Sequence, residues 1–451
     1  MRYPDAIEFL YRLRWFGAKL GLENTRKLAA LAGNPQERLR FIHVAGTNGK
    51  GSTCAMLESI YRAAGLKVGL FTSPHLVAFG ERLQVNRRPI SESEVVDEVE
   101  AIRALLARGW GAPETHPPGA GSEEHPTFFE AVTVMALRYF EAQGCELVIW
   151  ETGLGGRLDA TNIVTPLASI ITNIQFDHQK WLGETLSSIA HEKAGIIKPA
   201  VPIITGAEAP EALAVIGDTA SRLGSPLTVV PVAAAHQPPL DALRLPLAGE
   251  HQKRNAAVAL AAVRVLEPRL CVPPRAILEG LSQVHWPGRL QLVVRPSGQR
   301  ILLDGAHNVG GAEMLAAALR NDFGTRAAEA GPNLPTPRPT LVLGILRDKD
   351  WGQMCEILAP LAQRILLVPV HSERTAEPHG LAEVCHRANP AATVAEHSSL
   401  AAALADAAED PFVAIAGSLY LIGEAMELLH LSPATAQDER GLNEWTARGA
   451  R

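Results

Sequence analysis

The chain has few of the features that mark a special environment. Its five cysteines, Cys54, Cys145, Cys271, Cys355 and Cys385, are scattered through 451 residues. None forms a Cys-x-x-Cys pair, so neither a disulfide framework nor a zinc knuckle is indicated, and a reducing cytoplasm is expected. No uninterrupted apolar run approaches the length of a membrane span. The opening Met1-Arg2-Tyr3-Pro4-Asp5 lacks the apolar stretch of a secretory signal. Basic residues (42) are fewer than acidic ones (48), and a formal charge of -6 offers no footprint for nucleic acid or an anionic membrane. There is no internal repeat and no long low-complexity tract.

What is present is the composition of a globular protein, 47% hydrophobic and 20% charged, in a chain too long for one ordinary core. From about residue 40, short β-rich apolar runs alternate with longer Ala/Leu-rich amphipathic stretches, the rhythm of βα units on a parallel sheet. Strands are expected at Phe41–Ala45, Lys67–Phe71, Glu146–Glu151, Leu167–Asn173, Pro202–Thr205 and Leu227–Val232, with helices at Ser52–Ala64, Phe128–Gln143 and Asn255–Leu266. The pattern restarts after Arg289, with strands near Ile301–Asp304, Thr340–Leu343, Arg364–Val368 and Phe412–Ala416. Two α/β domains follow, over residues 1–290 and 297–431, with Trp286 to Gly298 as the hinge. Gly109–Pro126 and Gly324–Pro339 read as surface insertions, and the polar tail after Leu431 as frayed.

The first chemical signal is Gly46-Thr47-Asn48-Gly49-Lys50-Gly51-Ser52, between an apolar strand and a helix. Glycines let successive backbone N–H groups converge on phosphate oxygens, the helix N-terminus adds positive potential, and Lys50 supplies a charge. The usual nucleotide-loop pattern G-x-x-x-x-G-K-[ST] nevertheless fails twice. Val44 stands at the first glycine position, and Gly51 separates Lys50 from Ser52. A generic GTPase or kinase is therefore disfavoured.

Glu151 ends the strand Leu147-Val148-Ile149-Trp150, where a Mg²⁺ ligand belongs if that edge of the sheet carries the phosphate loop. A solvated strand-end acid is the alternative. His178, closing Asn173-Ile174-Gln175-Phe176-Asp177-His178, is a second potential ligand or a structural histidine. Lys193, in Ile189-Ala190-His191-Glu192-Lys193-Ala194-Gly195, reads by itself as a surface lysine.

Together these segments resemble the folylpolyglutamate synthase/dihydrofolate synthase family, a branch of the Mur ligase superfamily. The resemblance runs from Gly46 to about Gly423 through GTNGKGS (46–52), TSPHL (72–76), ERLQVN (81–86), ETGLGGRLDATN (151–162), FDH (176–178), EKAGIIKP (192–199), HQKRNAA (251–257), WPGR (286–289), DGAHN (304–308) and GSLYLIGE (417–424). It implies a P-loop-containing, three-layer α/β/α ATPase domain followed by a smaller Rossmann-like domain.

It also implies roles. The loop Gly46, Thr47, Asn48, Gly49, Lys50, Gly51 and Ser52 would bind ATP with Asn255, Arg289 and Asp304. Ser73, Glu151, His178 and Lys193 would hold Mg²⁺, two ions in all, with Lys193 carboxylated at its Nζ. Such a lysine becomes an anionic oxygen ligand, whereas an unmodified one would repel the metal. Thr127, Phe129 and Asp159 would contact the pteroate, and His307 with Asn308 would face the reaction cleft. Taken alone, Asn255 could be a helix cap, Asp304 an ordinary turn, Phe129 a core residue and Asp159 a turn cap. The implied reaction is glutamate addition to dihydropteroate or a reduced folate through an acyl phosphate, by a cytoplasmic monomer with no nucleic-acid or membrane partner. The rivals are a Mur-type ligase with another acceptor and a noncatalytic nucleotide switch.

Overall fold

The computed structural model describes residues 1–16, 21–111, 125–323, 338–432 and 439–444. They fall into two units. The first holds the residues up to Arg244, Arg254–Val284 and the C-terminal residues 439–444, and the second holds Leu245–Lys253 and the described residues from His285 to 432.

In the first unit, β1 (Phe41–Ala45), β2 (Val68–Phe71), β3 (Leu83–Val85), β4 (Arg88–Pro89), β5 (Leu147–Glu151), β6 (Ala168–Ile171), β7 (Ile203–Thr205) and β8 (Leu227–Val229) make one sheet. Its order is β4-β3-β2-β5-β1-β6-β7-β8. From β2 to β8 every pairing is parallel, which buries the central strands on both faces and explains their unbroken apolar runs. All five residues of β1, Phe-Ile-His-Val-Ala, are buried, His43 among them. The β3–β4 hairpin is antiparallel and was not expected, because three- and two-residue strands are too short to show a period.

In the second unit, β9 (Gln291–Val294), β10 (Arg300–Leu303), β11 (Thr340–Leu343), β12 (Arg364–Leu367), β13 (Thr393–Glu396) and β14 (Phe412–Ala416) form a sheet of order β13-β12-β11-β14-β10-β9. It is parallel except for the edge pair β9–β10. The segment expected to be a hinge therefore contains a strand, with Val294, Val293, Leu292 and Gln291 opposite Arg300 to Leu303. The expected boundary at residue 290 also moves. Leu245–Lys253 and the stretch from His285 belong with the second unit, where Gly249 lies so close to Leu290 that a Cβ would fall 2.7 Å from Leu290 Cδ1. The two expected insertions lie largely outside the described residues.

The C-terminal tail is not frayed at residues 439–444. Leu442 is 1% exposed and joins the core of the first unit with Ile7, Leu10 and Phe79. Glu439 accepts from Tyr3 Oη (3.0 Å) and from the Phe79 amide (2.6 Å). His75 Nδ1 accepts from Arg82 Nε (2.8 Å), so its proton sits on Nε2, which is 2.8 Å from the Glu439 carbonyl. Burial and the Arg82 charge push His75 well below its ordinary pKa, so the ring stays neutral. Asn443 Nδ2 donates to the His75 carbonyl (3.0 Å), and Arg82 reaches the Asn443 amide oxygen. This polar clasp closes over the 72–82 loop, which a pattern search for helix or strand periods cannot see. Leu442→Ala is expected to lower stability by about 3 kcal/mol, measured as a fall in the denaturant midpoint of the first unit. An unchanged midpoint would mean that the tail contributes nothing.

Candidate active site

In an open parallel sheet, ligands gather beyond the carboxyl ends of the strands. Because β2, β5, β1 and β6 are neighbours, the turns after them converge at one edge of the first unit. These turns carry Ser73, Glu151, the Gly46–Ser52 loop and residues 172–178. The register sets Val44 beside Glu151, and the Thr152 amide donates to the Val44 carbonyl (2.9 Å).

The phosphate loop is held by the turn after β6. Thr47 donates from its amide to the Asn173 carbonyl (3.0 Å), and its hydroxyl bonds to Gln175 O (3.1 Å). The Asn48 amide donates to Asn173 Oδ1 (2.7 Å), Asn48 Nδ2 to Gln175 Oε1 (2.7 Å), and Thr172 Oγ1 to the Asn48 carbonyl (2.7 Å). Gly49 takes φ 82 as N-cap of the helix Lys50–Ala63, whose first turn carries Gly51 and the buried Ser52. Only a residue without a side chain adopts that backbone cheaply. A Cβ on Gly49 would also lie 2.4 Å from Asn255 Oδ1, which places Asn255 directly on the loop. Asn255 sits inside the helix Glu250–Leu266, so it is not a cap. Lys50 Nζ donates to the carbonyls of Gly46 (3.1 Å) and Thr47 (3.3 Å).

Lys193 is the least ordinary residue here. It is 4% exposed, not a surface lysine, and its Nζ donates 2.8 Å to the Gly46 carbonyl. Burial and the nearby Lys50 charge push it down to about 7, against the opposing pull of Asp177 and Asp159. Glu151 is 4% exposed, not solvated, and accepts 3.3 Å from the Ser73 amide. His178 takes φ 52 and places Nε2 3.7 Å from Asp177 Oδ1. Ser73 meets Glu151 and Lys193 meets the phosphate loop in direct contacts, while His178 is seen against Asp177. Among the described residues, no three carboxylate, imidazole or thiol groups gather as a ready-made metal cluster. A buried carboxylate beside a serine fits Mg²⁺, which takes one or two carboxylates and completes its shell with phosphate oxygens and water.

Phe71, Phe129 and Trp150 form an aromatic wall. Thr127 caps the helix Phe128–Ala142 reciprocally with Glu130: its hydroxyl accepts the Glu130 amide (3.3 Å) and its amide donates to Glu130 Oε2 (2.8 Å). Phe129 is partly buried, its ring centroid 6.1 Å from that of Phe71. A Cβ on Gly153 would fall 2.5 Å from Phe129 Cζ and 3.2 Å from Asp159 Oδ2. Phe129 and Asp159 therefore meet over that glycine, although 30 positions separate them. Asp159 also caps the turn Ala160–Ile163, the role expected of it from the sequence taken alone.

In the second unit, Asp304 ends the β10 turn buried, accepting from the amides of Leu290 (2.9 Å) and Ala306 (3.0 Å). Burial raises its pKa and the Arg289 charge opposes the rise. Arg289 lies across Gly305, where a Cβ would come 2.0 Å from Nη1. His307 Nδ1 is 2.8 Å from the Gly305 carbonyl, and Asn308 caps the helix Val309–Ala318. Arg289 thus lies against the turn that carries Asp304 and His307.

Sequence reasoning missed Thr172, Asn173, Gln175 and Asp177, which shape the loop or face Lys193. Polar residues after an expected strand were the available signal, but they point to the loop only once β6 is known to lie beside β1.

The Mur ligase middle domain matches residues 44–205, and the Mur ligase glutamate ligase domain matches residues 288–419. Folylpolyglutamate synthase of Lacticaseibacillus casei is 34% identical over 450 residues, covering 95% of this chain and 99% of that protein. Dihydrofolate synthase/folylpolyglutamate synthase of Bacillus subtilis is also 34% identical, with the same coverage of 95% and 99%. The structure of E. coli FolC in complex with DHPP and ADP superposes with a TM-score of 0.78 at 31% identity, covering 96% of this chain and 98% of that one. No helix among the described residues is long and apolar enough to cross a membrane. The chain belongs to the folylpolyglutamate synthase/dihydrofolate synthase family of Mur ligases, which are ATP-dependent enzymes joining an acid to an amino acid.

Proposed function

We propose that this enzyme adds L-glutamate to a folate-type carboxylate, dihydropteroate or a reduced folate, through an acyl phosphate. The observation that carries the reading is the meeting of Phe129 and Asp159 over Gly153, in the turn that follows the Glu151 strand end. An aromatic face and an accepting carboxylate suit a flat heterocycle bearing N–H groups. The E. coli relative holds DHPP together with ADP.

In the proposed reaction the acceptor carboxylate attacks the ATP γ-phosphoryl in line and ADP leaves. Lys50 and the N-terminus of the helix Lys50–Ala63 absorb the developing charge. The amine of glutamate then attacks the acyl carbonyl, loses a proton, and phosphate departs. Ser73, Glu151, His178 and a carboxylated Lys193 are the proposed holders of Mg²⁺, which would supply charge neutralisation on the phosphates. A buried lysine amine pushed down to about 7 is largely neutral in mildly alkaline solution, the form that combines with CO₂ to give a carbamate and a proton. Arg289 and Asp304 keep proposed roles in nucleotide binding, and His307 in the glutamate step.

The test is to supply purified protein with ATP, labelled glutamate and each acceptor in turn. Label is expected in the acceptor, with phosphate release that depends on glutamate. Labelling with neither acceptor would overturn the reading.

A further inference from the structure

The central strand β1 carries one residue that nothing above employs. His43 is fully buried three residues before the phosphate loop, in register with Trp150 and Ser169, and its Nδ1 has no partner among the described residues. Burial pushes the ring down to about 3, so it is neutral and carries a single N–H. An orphaned ring nitrogen in a core costs free energy that an apolar side chain of similar size would not. Packing alone gives no reason for a histidine there.

The other ring nitrogen supplies one. Nε2 lies 3.0 Å from Thr161 Oγ1. That hydroxyl in turn donates to Asp159 Oδ1, and the Thr161 amide donates to the same oxygen (3.0 Å). Trp150 Nε1 pins the Thr161 carbonyl at 3.0 Å. A threonine hydroxyl has one proton. If it goes to Asp159, the His43 contact must run from Nε2–H to the hydroxyl oxygen, and this leaves Nδ1 as the bare nitrogen. Nδ1 has no partner in either tautomer, and this direction leaves it a bare acceptor instead of an unpaired N–H. Asp159 Oδ2 meanwhile accepts from the Leu154 amide (2.7 Å) and faces Gly153 beside Phe129.

We propose that His43 is a positioning residue for the acceptor site: its N–H orients the Thr161 hydroxyl, which holds the Asp159 carboxylate with Oδ2 turned toward the Phe129 ring. The inference rests on Asp159 and Phe129 as acceptor contacts. Without the relay Thr161 can turn its proton elsewhere, Asp159 loses a charge-assisted bond, and its grip on a flat N–H-bearing ring loosens while the phosphate loop keeps its own ties.

The experiment compares His43→Leu, Thr161→Val, Thr161→Ser and Asp159→Ala in steady-state assays with ATP, glutamate and the acceptor that the wild-type enzyme uses. His43→Leu and Thr161→Val are expected to raise KM for the acceptor about tenfold, with KM for ATP moving less than about twofold. Thr161→Ser, which keeps the hydroxyl, is expected to restore acceptor KM to near the wild-type value. His43→Leu is further expected to melt at or above the wild-type temperature, which a structurally required histidine would not allow. If Asp159→Ala raises acceptor KM but Thr161→Val does not, the relay is wrong. If Asp159→Ala itself leaves acceptor KM unchanged, the acceptor assignment fails and takes the relay with it. Should His43→Leu not fold, the valine and serine pair at Thr161 decides the matter, since valine keeps the shape of threonine and lacks only its hydroxyl.

Discussion

Replacing Lys193 with alanine is expected to reduce turnover by about a thousandfold or more, with part of it returned by a short carboxylate such as acetate. The expectation follows from where the amine sits. Its Nζ is buried against the Gly46 carbonyl, and Lys50 is close enough to depress its ionisation. Two cations beside one phosphate loop would clash with a divalent metal, whereas a carbamate reverses one of the charges. The sign of the pH effect is set by the same shift. An amine pushed down to about 7 is neutral and reactive above that pH and protonated below it. After removal of CO₂, activity should therefore recover faster at pH about 8 than at pH about 6 when the two are compared at the same dissolved CO₂ concentration. A carbamate carbon signal from ¹³C-labelled bicarbonate would report the adduct directly. An alanine variant with full activity would remove the carbamate from the mechanism.

Lys50→Met should lower kcat by about a hundredfold to a thousandfold, the usual effect of deleting one group that stabilises transition-state charge. Lys50 opens the helix Lys50–Ala63 and now bonds to the Gly46 and Thr47 carbonyls, so it also tethers the loop. Methionine keeps the alkyl length and loses both the charge and those bonds. The loop has other anchors in Thr172, Asn173 and Gln175, so the fold should survive. The measurement is acyl-phosphate formation in a single turnover, read as ADP released before glutamate is added, beside the melting temperature. A variant that melts with the wild type and turns over equally fast would show that Lys50 does not act on the phosphoryl group.

Much of this architecture could be read from the residues in order. Phe41–Ala45, Thr340–Leu343 and Phe412–Ala416 are strands over the expected residues, because buried parallel strands are unbroken apolar runs and period is not needed to find them. The short hairpin β3–β4 and the edge strand β9 escaped, since edge strands are half-solvated and two to four residues show no pattern. The Gly46–Ser52 loop stands out in the sequence because its chemistry is local: backbone amides, a helix start and a lysine within seven positions.

What the order of residues could not show is which strand lies beside which. Glu151 reaches the same sheet edge as the Gly46–Ser52 loop only because β5 lies next to β1, and Asn173 and Gln175 brace that loop only because β6 lies on the other side. Lys193 read as a surface residue, since a lysine on a helix is usually solvated, and only its burial against Gly46 reveals a depressed amine. His43 read as one letter of an apolar run, and its link to Asp159 joins residues more than a hundred positions apart. Local composition therefore determined the βα rhythm and the nucleotide loop, since both depend on neighbours along the chain. The sheet order decided the ionisation of Lys193, the buried seat of Glu151 and the bracing of Asp159, because burial and hydrogen bonding depend on neighbours in space.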